Sequence, residues 1–233
     1  MDTTLAQAQR MSAPRAIALC QCFNGALEFQ AGNWDQAEKA LRQSIELYRS
    51  IGAASGEALA RQRLGVLLTA RGHLDEAWTT LEEGAVVAER AVMRAHCLTR
   101  IYAAMARNRL EANDVAAAEQ ALAAGLAMSD RHGNCATCNA LLLPVAVSVH
   151  LTQEDLETAE AFCRQLEEAA QEYGSRTWLA LAQQASAEVA AAKGDLAEAL
   201  DAYQKARDKF RAANHIYEAD RCQASMNSLK CAS

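Results

Sequence analysis

The chain has 233 residues, of which 51% are hydrophobic and 22% are charged, a composition typical of a globular protein and unlike that of a disordered one. Two prolines and eleven glycines are too few turn residues for a β-sandwich or β-barrel of this length, so the composition favours helices. The net charge of −6 argues against a nucleic-acid-binding surface, and no direct contact with nucleic acid is expected.

No targeting or membrane segment is evident in the sequence. Residues 1–5 lack the basic start and the apolar stretch of a secretory signal. The most apolar run, residues 140–151, contains Pro144 and His150 and is too short for a membrane span. We therefore expect a cytoplasmic protein with no membrane contact. Its eight cysteines are expected to be thiols, because a reducing compartment disfavours disulfides.

A short motif recurs five times along the chain and is its strongest structural signal. Before it, residues 1–11 are expected to form a lead-in helix or a frayed tail, and Ser12 and Pro14 mark a helix start. Each copy of the motif ends on an alanine, and successive alanines are 40 or 41 residues apart, a spacing typical of solenoid repeats. The five alanines are Ala37, Ala77, Ala118, Ala159 and Ala199.

Each copy predicts a helix, a tight turn and a second helix. The turn holds Gly, Asn or Glu, and in three copies an Asp follows that can cap the second helix. The alanine of the motif allows the two helices to approach closely. In four of the five copies a small residue of the first helix is expected to face it. These facing residues are Gly25, Gly65, Ala106 and Ala187, with Val147 as the exception in the fourth copy.

This unit resembles the tetratricopeptide (TPR) repeat, which has a small residue in helix A, a Gly-Asp-like turn and an alanine-rich helix B. The period exceeds the common repeat of about 34 residues, and long units of this kind are similar to the sensor region of maltose-regulator-like, LuxR-type bacterial transcriptional regulators. The resemblance implies an all-α, right-handed superhelical solenoid of about five TPR-like helical hairpins plus a C-terminal capping helix, as a single domain over residues 1–233. The predicted repeats span residues 16–52, 55–92, 94–131, 135–173 and 176–213, and the capping helix spans residues 215–230.

In a solenoid of this type the A helices line the concave side. The resemblance places six candidate ligand-binding residues in this groove, which are Phe29, Gln62, Arg63, Arg100, Arg107 and Gln184. Arg100 and Arg107 are seven residues apart and share one helical face, and together with Arg63 they can bind a carboxylate or a phosphate. The alternative is that these arginines pair with local acids such as Glu57 and Glu111 and only solvate a helix face.

A Cys-x-x-Cys sequence, Cys135 to Cys138, lies at the start of the fourth repeat, where Asn134 is expected to be the N-cap of a helix. Cys97 holds the position of Cys138 one repeat earlier. These residues predict a redox pair or a site for zinc or another soft metal. The candidate residues of that site are His96, Cys97, His132, Cys135 and Cys138. The alternative is that the cysteines are structural thiols, as is expected of Cys163, because other repeats carry leucine at its position.

The sequence contains no phosphate-binding glycine loop, no dinucleotide fingerprint, no Gly-x-Ser-x-Gly and no His-Glu-x-x-His motif. We therefore expect no enzymatic activity and no cofactor apart from the metal alternative. The leading hypothesis is a scaffold that binds a protein segment or a small effector in its groove, as a sensor or interaction module of a bacterial regulator. The alternatives are a thiol- or metal-responsive switch at Cys135 and Cys138, and a homodimer formed through an exposed apolar face of the B helices.

Overall fold

A computed structural model describes residues 2–232 of the chain and contains twelve α-helices and no strand within that range. The helices are α1 (Asp2–Arg10), α2 (Pro14–Gln30), α3 (Trp34–Ser50), α4 (Ala54–Ala70), α5 (Leu74–Ala88), α6 (Arg94–Glu111), α7 (Val115–Arg131), α8 (Ala136–Thr152), α9 (Leu156–Tyr173), α10 (Arg176–Ala192), α11 (Leu196–Ala212) and α12 (Ile216–Ala232). The prediction of an all-α repeat fold is therefore confirmed.

The helices pack as consecutive hairpins. Each A helix lies against the B helix that follows it, in the pairs α2 and α3, α4 and α5, α6 and α7, α8 and α9, and α10 and α11. The last helix, α12, packs against α11. The structure thus has the five hairpins and the final helix that the repeat predicts. The right-handed superhelical arrangement of these hairpins stays a prediction.

The turn inside each hairpin depends on a residue with a left-handed backbone conformation. Gly32, Gly72 and Gly194 have φ values between 78° and 87°, whereas Asn113 and Glu154 have φ values of 58° and 61°. Glycine adopts this conformation without steric cost, and asparagine tolerates it better than glutamate does. The prediction that Gly, Asn or Glu turns the chain at this point is confirmed. Among these five residues, Glu154 has the highest conformational free-energy cost for the left-handed backbone.

Aspartates cap the second helix in the last three hairpins, as the sequence predicts. The side chains of Asp114, Asp155 and Asp195 each accept a hydrogen bond from the backbone N–H three residues later, at 3.1, 3.1 and 3.0 Å. An N-cap of this type satisfies a backbone donor that has no partner inside the helix. The caps therefore fix the starts of α7, α9 and α11.

The close approach of the paired helices is visible at the glycines of the A helices. A Cβ atom built at Gly25 would lie 2.6 Å from Cγ of Leu41, and one at Gly65 would lie 2.5 Å from Cγ of Leu81. Both distances are shorter than any ordinary carbon contact. The five motif alanines of the B helices are fully buried. Small residues on the A helices therefore allow leucines of the B helices to fill the space between the two helices.

The fourth hairpin carries Val147 where the others have glycine or alanine, and the structure explains this exception. Cys163 of α9 occupies the position that holds Leu41, Leu81 or Leu122 in the first three hairpins. Val147 and Cys163 are buried in the same core cluster. The larger side chain on one helix is thus balanced by the smaller one on its partner, which conserves the packed volume.

The chain divides into two compact units, and the boundary lies between Gly133 and Asn134. Unit 1 contains α1 to α7, and its core includes Leu41, Leu64 and Leu67. Unit 2 contains α8 to α12, and its core consists of one cluster around Leu166 and another around Phe210. The single domain predicted over residues 1–233 stays a prediction.

Candidate functional site

Arg63 is the predicted groove residue with the best-defined surroundings. It lies on α4, which packs against α2 in unit 1. Its Nη1 donates a hydrogen bond of 3.2 Å to the carbonyl oxygen of Cys22 and lies 2.9 Å from the Sγ of the same residue. Its guanidinium carbon lies 4.6 Å from the centre of the Phe23 ring, a cation–π distance. Arg63 is therefore held in one place on the surface of α2.

Among the side chains that the structure describes, those of residues 3–231, no carboxylate forms an ion pair with Arg63, although acids lie nearby in the sequence. Glu57, which the sequence suggests as a local partner, instead pairs with Arg61 at 3.1 Å and with Arg49 at 3.5 Å. Arg61 also forms an ion pair with Glu83. The charges of Arg61 and Glu57 are thus satisfied inside unit 1, whereas the guanidinium of Arg63 is held by an aromatic ring and a backbone carbonyl.

The other two predicted arginines, Arg100 and Arg107, lie on α6, the helix that packs next to α4. Arg100 lies close to His96, one turn earlier on the same helix. Burial lowers the pKa of His96, and the positive charge of Arg100 lowers it further. His96 is therefore mainly neutral at pH 7, and positive charge on this helix comes from the arginines.

Two further predicted groove residues of unit 1 are buried or partly buried. Gln62 of α4 is buried. Phe29 of α2 packs against the core of unit 1, and its ring centre lies 6.1 Å from that of Trp34. Gln62 is therefore inaccessible to a ligand, whereas Phe29 and Arg63 are each partly exposed.

The predicted groove residue of unit 2, Gln184 of α10, belongs to a small polar network. Its Nε2 donates a hydrogen bond of 3.4 Å to one oxygen of Glu188, and Ser148 of α8 donates one of 2.9 Å to the other oxygen. Ser148 and Glu188 are 40 residues apart and hold equivalent positions in successive A helices. The sequence alone does not predict this acidic network, although the repeat spacing between Ser148 and Glu188 indicates that the two residues lie on adjacent helices.

The Cys-x-x-Cys pair lies at the start of α8. The sequence predicts Asn134 as the N-cap, and this prediction is wrong, because the N-cap residue is Cys135. Gly133 and Asn134 both have left-handed backbone conformations, with φ values of 82° and 50°, so the chain is still turning at Asn134 and the helix begins at Ala136. Cys135 is therefore exposed at the helix terminus, and Cys138 is buried one turn further on.

The surroundings of Cys135 favour its thiolate. Its Sγ lies 3.2 Å from Oγ1 of Thr137. Burial alone disfavours the thiolate, but hydrogen bonds from Thr137 and Cys138 have the larger combined effect, and the pKa of Cys135 is lowered. The position of Cys135 at a helix N-terminus acts in the same direction. Cys135 is thus an exposed, activated thiol with a second thiol close to it in the chain.

The remaining residues of the predicted metal set belong to unit 1 and differ in character. Cys97 is fully buried in α6, and burial raises its pKa to about 11, so its thiol is protonated at neutral pH. His132 is exposed and follows the last residue of α7. Cys163 of unit 2, expected to be structural, is also buried and has a pKa raised to about 11 by that burial. These thiols pack as small apolar side chains.

In the part of the chain that the structure describes, no helix combines the length and the apolar character that a membrane span requires. The most apolar helix, α8, carries Pro144 and His150 within its length. This agrees with the sequence-based reading of residues 140–151 as a buried helix.

Two solved structures resemble the fold of this chain. The structure of Rap protein complexed with competence and sporulation factor superposes with a TM-score of 0.62 and 12% identity, covering 96% of this chain and 64% of that chain. The structure of BtubC (BKLC) from P. vanneervenii superposes with a TM-score of 0.55 and 16% identity, covering 89% of this chain and 92% of that chain. No curated protein matches the sequence. The TM-scores show that the chain shares the fold of these proteins. At identities this low, the likeness concerns the fold alone.

A family match extends over most of the chain. The family described as the MalT-like TPR region matches residues 10–226, a range that begins at the end of α1 and ends within α12. The match includes all five helical hairpins and agrees with the resemblance inferred from the repeat. The chain therefore belongs to the MalT-like TPR region family and is a TPR-like helical repeat scaffold.

Proposed function

We propose that the chain is a sensor or interaction module of a bacterial regulator. It binds an anionic protein segment or small effector on the surface formed by the A helices of unit 1, which are α2, α4 and α6. The observation that carries the proposal is Arg63, whose guanidinium is held against α2 and forms no ion pair with a carboxylate of residues 3–231. Arginine keeps its charge at every physiological pH, and a carboxylate or phosphate is the ligand its geometry suits.

The fixed position of Arg63 favours binding. A flexible arginine loses side-chain entropy when it closes on a ligand, whereas the contacts with Cys22 and Phe23 already restrict Arg63 before any ligand arrives. Arg42 provides a contrast, because its guanidinium bonds to Glu38 and Glu76 at 2.7 Å and its charge is matched within the chain.

Two further observations support the proposal. Arg100 and Arg107, the other two predicted anion-binding arginines, lie on α6, the A helix that packs against α4. In addition, the structurally similar Rap protein was solved in complex with competence and sporulation factor, so a scaffold of this fold binds another molecule. The family match to the MalT-like TPR region is consistent with a place in a regulator.

Binding of defined anionic probes tests the proposal. The probes are inorganic phosphate and citrate, measured by calorimetry, and labelled acidic or phosphorylated peptides, measured by fluorescence anisotropy beside neutral peptides of matched composition. Loss of a charge-assisted hydrogen bond costs about 1.5–3 kcal/mol, so Arg63→Ala should weaken binding by about tenfold or more. Arg90→Ala is the matched control, because Arg90 is an exposed arginine in the loop after α5.

Two outcomes would contradict this function. Anionic probes would bind no better than their neutral counterparts, or Arg63→Ala and Arg90→Ala would have equal effects. The double variant Arg100→Ala and Arg107→Ala then measures the contribution of α6. Unchanged binding in that variant would limit the anion site to α4.

A second candidate function is favoured by Cys135. We infer that Cys135 and Cys138 form a thiol switch that responds to small-molecule disulfides. The Cys135 thiolate attacks a disulfide RSSR and releases one RS⁻, which is protonated to RSH. The Cys138 thiol then loses its proton, its sulfur displaces the second RS⁻, and a Cys135–Cys138 disulfide forms as two RSH leave. The lowered pKa of Cys135 and its exposure support its role as the attacking thiol.

Mass spectrometry after treatment with hydroxyethyl disulfide tests the switch. The chain should lose two hydrogens and gain an internal link between Cys135 and Cys138, and Cys138→Ser should instead trap a mixed disulfide on Cys135. Cys231→Ser is the control, because Cys231 is the other exposed cysteine. An unchanged yield of oxidised chain in Cys135→Ser would contradict the switch. Zinc that copurifies with untagged protein and is lost in Cys135→Ser would favour the predicted metal site in its place.

A further inference from the structure

Unit 1 exposes a ridge of apolar side chains along α2. Leu19, Phe23 and Leu27 are 49%, 48% and 53% exposed, which is unusual for side chains of this size. They are spaced four residues apart and form a row of about 12 Å along the helix, since each residue of an α-helix rises about 1.5 Å. Arg63 lies beside this row, above the Phe23 ring. These four residues are called the α2 surface below.

The repeat shows how a helix fits on such a surface. One repeat later, the positions of Phe23 and Leu27 are held by Arg63 and Leu67 of α4. Leu67 is fully buried in the core to which α2 and α4 both contribute, and Arg63 reaches Cys22 of α2. The position of Leu27 is thus fully buried on α4, and Arg63, at the position of Phe23, contacts α2, whereas both positions remain about half exposed on α2. Within residues 2–232, α2 packs with α1, α3 and α4, and these helices leave the row about half exposed.

The charge of Arg63 indicates which side chains a helix bound to the α2 surface would need. A second copy of this chain, paired through α2 about a two-fold axis near Phe23, would bring two Arg63 guanidinium groups into one interface without a counter-charge, which is unfavourable. A partner helix with a carboxylate beside its apolar face would neutralise Arg63 and cover the row at the same time. An uncharged apolar helix would cover the row but would leave Arg63 without a counter-charge in a desolvated interface.

We propose that the α2 surface binds an amphipathic helix of a partner protein, which places apolar side chains at a four-residue spacing on Leu19, Phe23 and Leu27 and a Glu or Asp on Arg63. This inference rests on the proposed function, because it takes Arg63 as the anion-binding residue, and it adds that the bound segment is helical and apolar on one side. Rows of side chains four residues apart pack into the grooves of a second helix.

The test uses the full chain and a displayed library of 18-residue peptides on a helix-forming frame of Ala, Lys and Gln, with varied positions that include apolar and acidic residues. Selected binders should carry apolar residues four apart and an acid beside them. In anisotropy measurements Phe23→Ser should weaken their binding by about tenfold or more, as expected for an aromatic anchor. Val86→Ser is the matched control, because Val86 is an exposed apolar residue of α5 outside the α2 surface.

A charge exchange sharpens the test. Arg63→Glu should abolish binding of a selected peptide, and the peptide in which Lys replaces the acid should restore it. A library that yields no binder, or binders that tolerate Phe23→Ser, would overturn the helix inference. Binding of extended acidic peptides or phosphate that depends on Arg63 and not on Phe23 would retain the proposed function and refute the helix. A dimer in sedimentation velocity that Phe23→Ser dissociates would show that a second copy covers the surface and would also refute it.

Discussion

Replacement of the buried Asn108 tests how unit 1 is held together. Asn108 of α6 is fully buried, and its Nδ2 donates hydrogen bonds of 3.1 Å to Oγ1 of Thr69 and to the carbonyl oxygen of Leu74. Its Oδ1 accepts two hydrogen bonds from Arg109, at 2.9 and 2.6 Å, and the guanidinium of Arg109 stacks on Trp78 at 4.3 Å. One side chain therefore links α4, α5 and α6.

The expected cost of Asn108→Ala follows from these bonds. The carbonyl of Leu74 and the guanidinium of Arg109 lose a partner, and a cavity is left at a fully buried site. Unsatisfied groups of this kind cost about 1–3 kcal/mol each, and part of the loss at Arg109 is recovered by solvent. We expect the free energy of unfolding to fall by about 3 kcal/mol. Asn108→Leu should cost less, about 2 kcal/mol, because leucine refills the cavity but leaves the same groups without a partner.

Urea unfolding followed by circular dichroism measures the loss, and amide hydrogen exchange locates it in α4 to α6. Asn24→Ala is the matched control, since Asn24 lies at a partly exposed position of α2 and should change the stability by no more than about 0.5 kcal/mol. A loss below about 1 kcal/mol for Asn108→Ala would refute the reasoning. A gain in stability for Asn108→Leu would show that the polar network costs more than it contributes.

Three further predictions concern the turns, the core and the thiols. Glu154→Gly should raise the urea midpoint, by about 1 kcal/mol in unfolding free energy, because it removes a left-handed glutamate with φ of 61°, and Gly194→Ala should lower it by about as much at φ of 82°. Cys163→Leu should lower the thermal midpoint, at a cost of about 1–3 kcal/mol, and Val147→Ala in the same chain should recover part of the loss by restoring the packed volume. Alkylation by iodoacetamide, quantified by mass spectrometry, should reach its maximal rate for Cys135 at a lower pH than for N-acetylcysteine, because a lowered pKa yields thiolate at lower pH. Cys163, with a pKa of about 11, should remain unmodified in the folded chain, and equal modification of both cysteines would contradict the assignment.

The features of the fold that could be predicted are those set by local chemistry. The left-handed turn residues, the caps at Asp114, Asp155 and Asp195 and the buried motif alanines each depend on a few neighbouring residues, and the repeat presents each of them several times. The pairing of Val147 with Cys163 can also be predicted from the sequence once the repeats are aligned. A larger residue than usual on the A helix and a smaller one than usual on the B helix fall on facing positions of one hairpin.

The features that could not be predicted depend on contacts between helices or on a single residue of register. The N-cap of α8 is Cys135 and not Asn134, because Gly133 and Asn134 turn the chain in succession, and a cap is sensitive to a shift of one residue.

The ion-pair partner of Glu57 could have been predicted from the sequence. Glu57 and Arg61 are four residues apart on α4, so helical spacing already favours that pair over one with Arg63.

The α2 surface shows why a repeat pattern does not by itself distinguish core from surface. Leu27 and Leu67 hold the same position in successive repeats and are the same residue type, yet Leu67 is fully buried and Leu27 is about half exposed. Leu67 lies in a core to which α2 and α4 both contribute, whereas the helices packed on α2 within residues 2–232 leave Leu27 about half exposed. A leucine at this position is therefore suited to contact with a helix whether or not one is present. The sequence of the first repeat therefore already carries the apolar spacing needed to accept another helix. The helices α6, α8 and α10 have no charged residue at the position of Arg63. Arg63 is thus the residue that gives the proposed contact with a partner helix its preference for an acid.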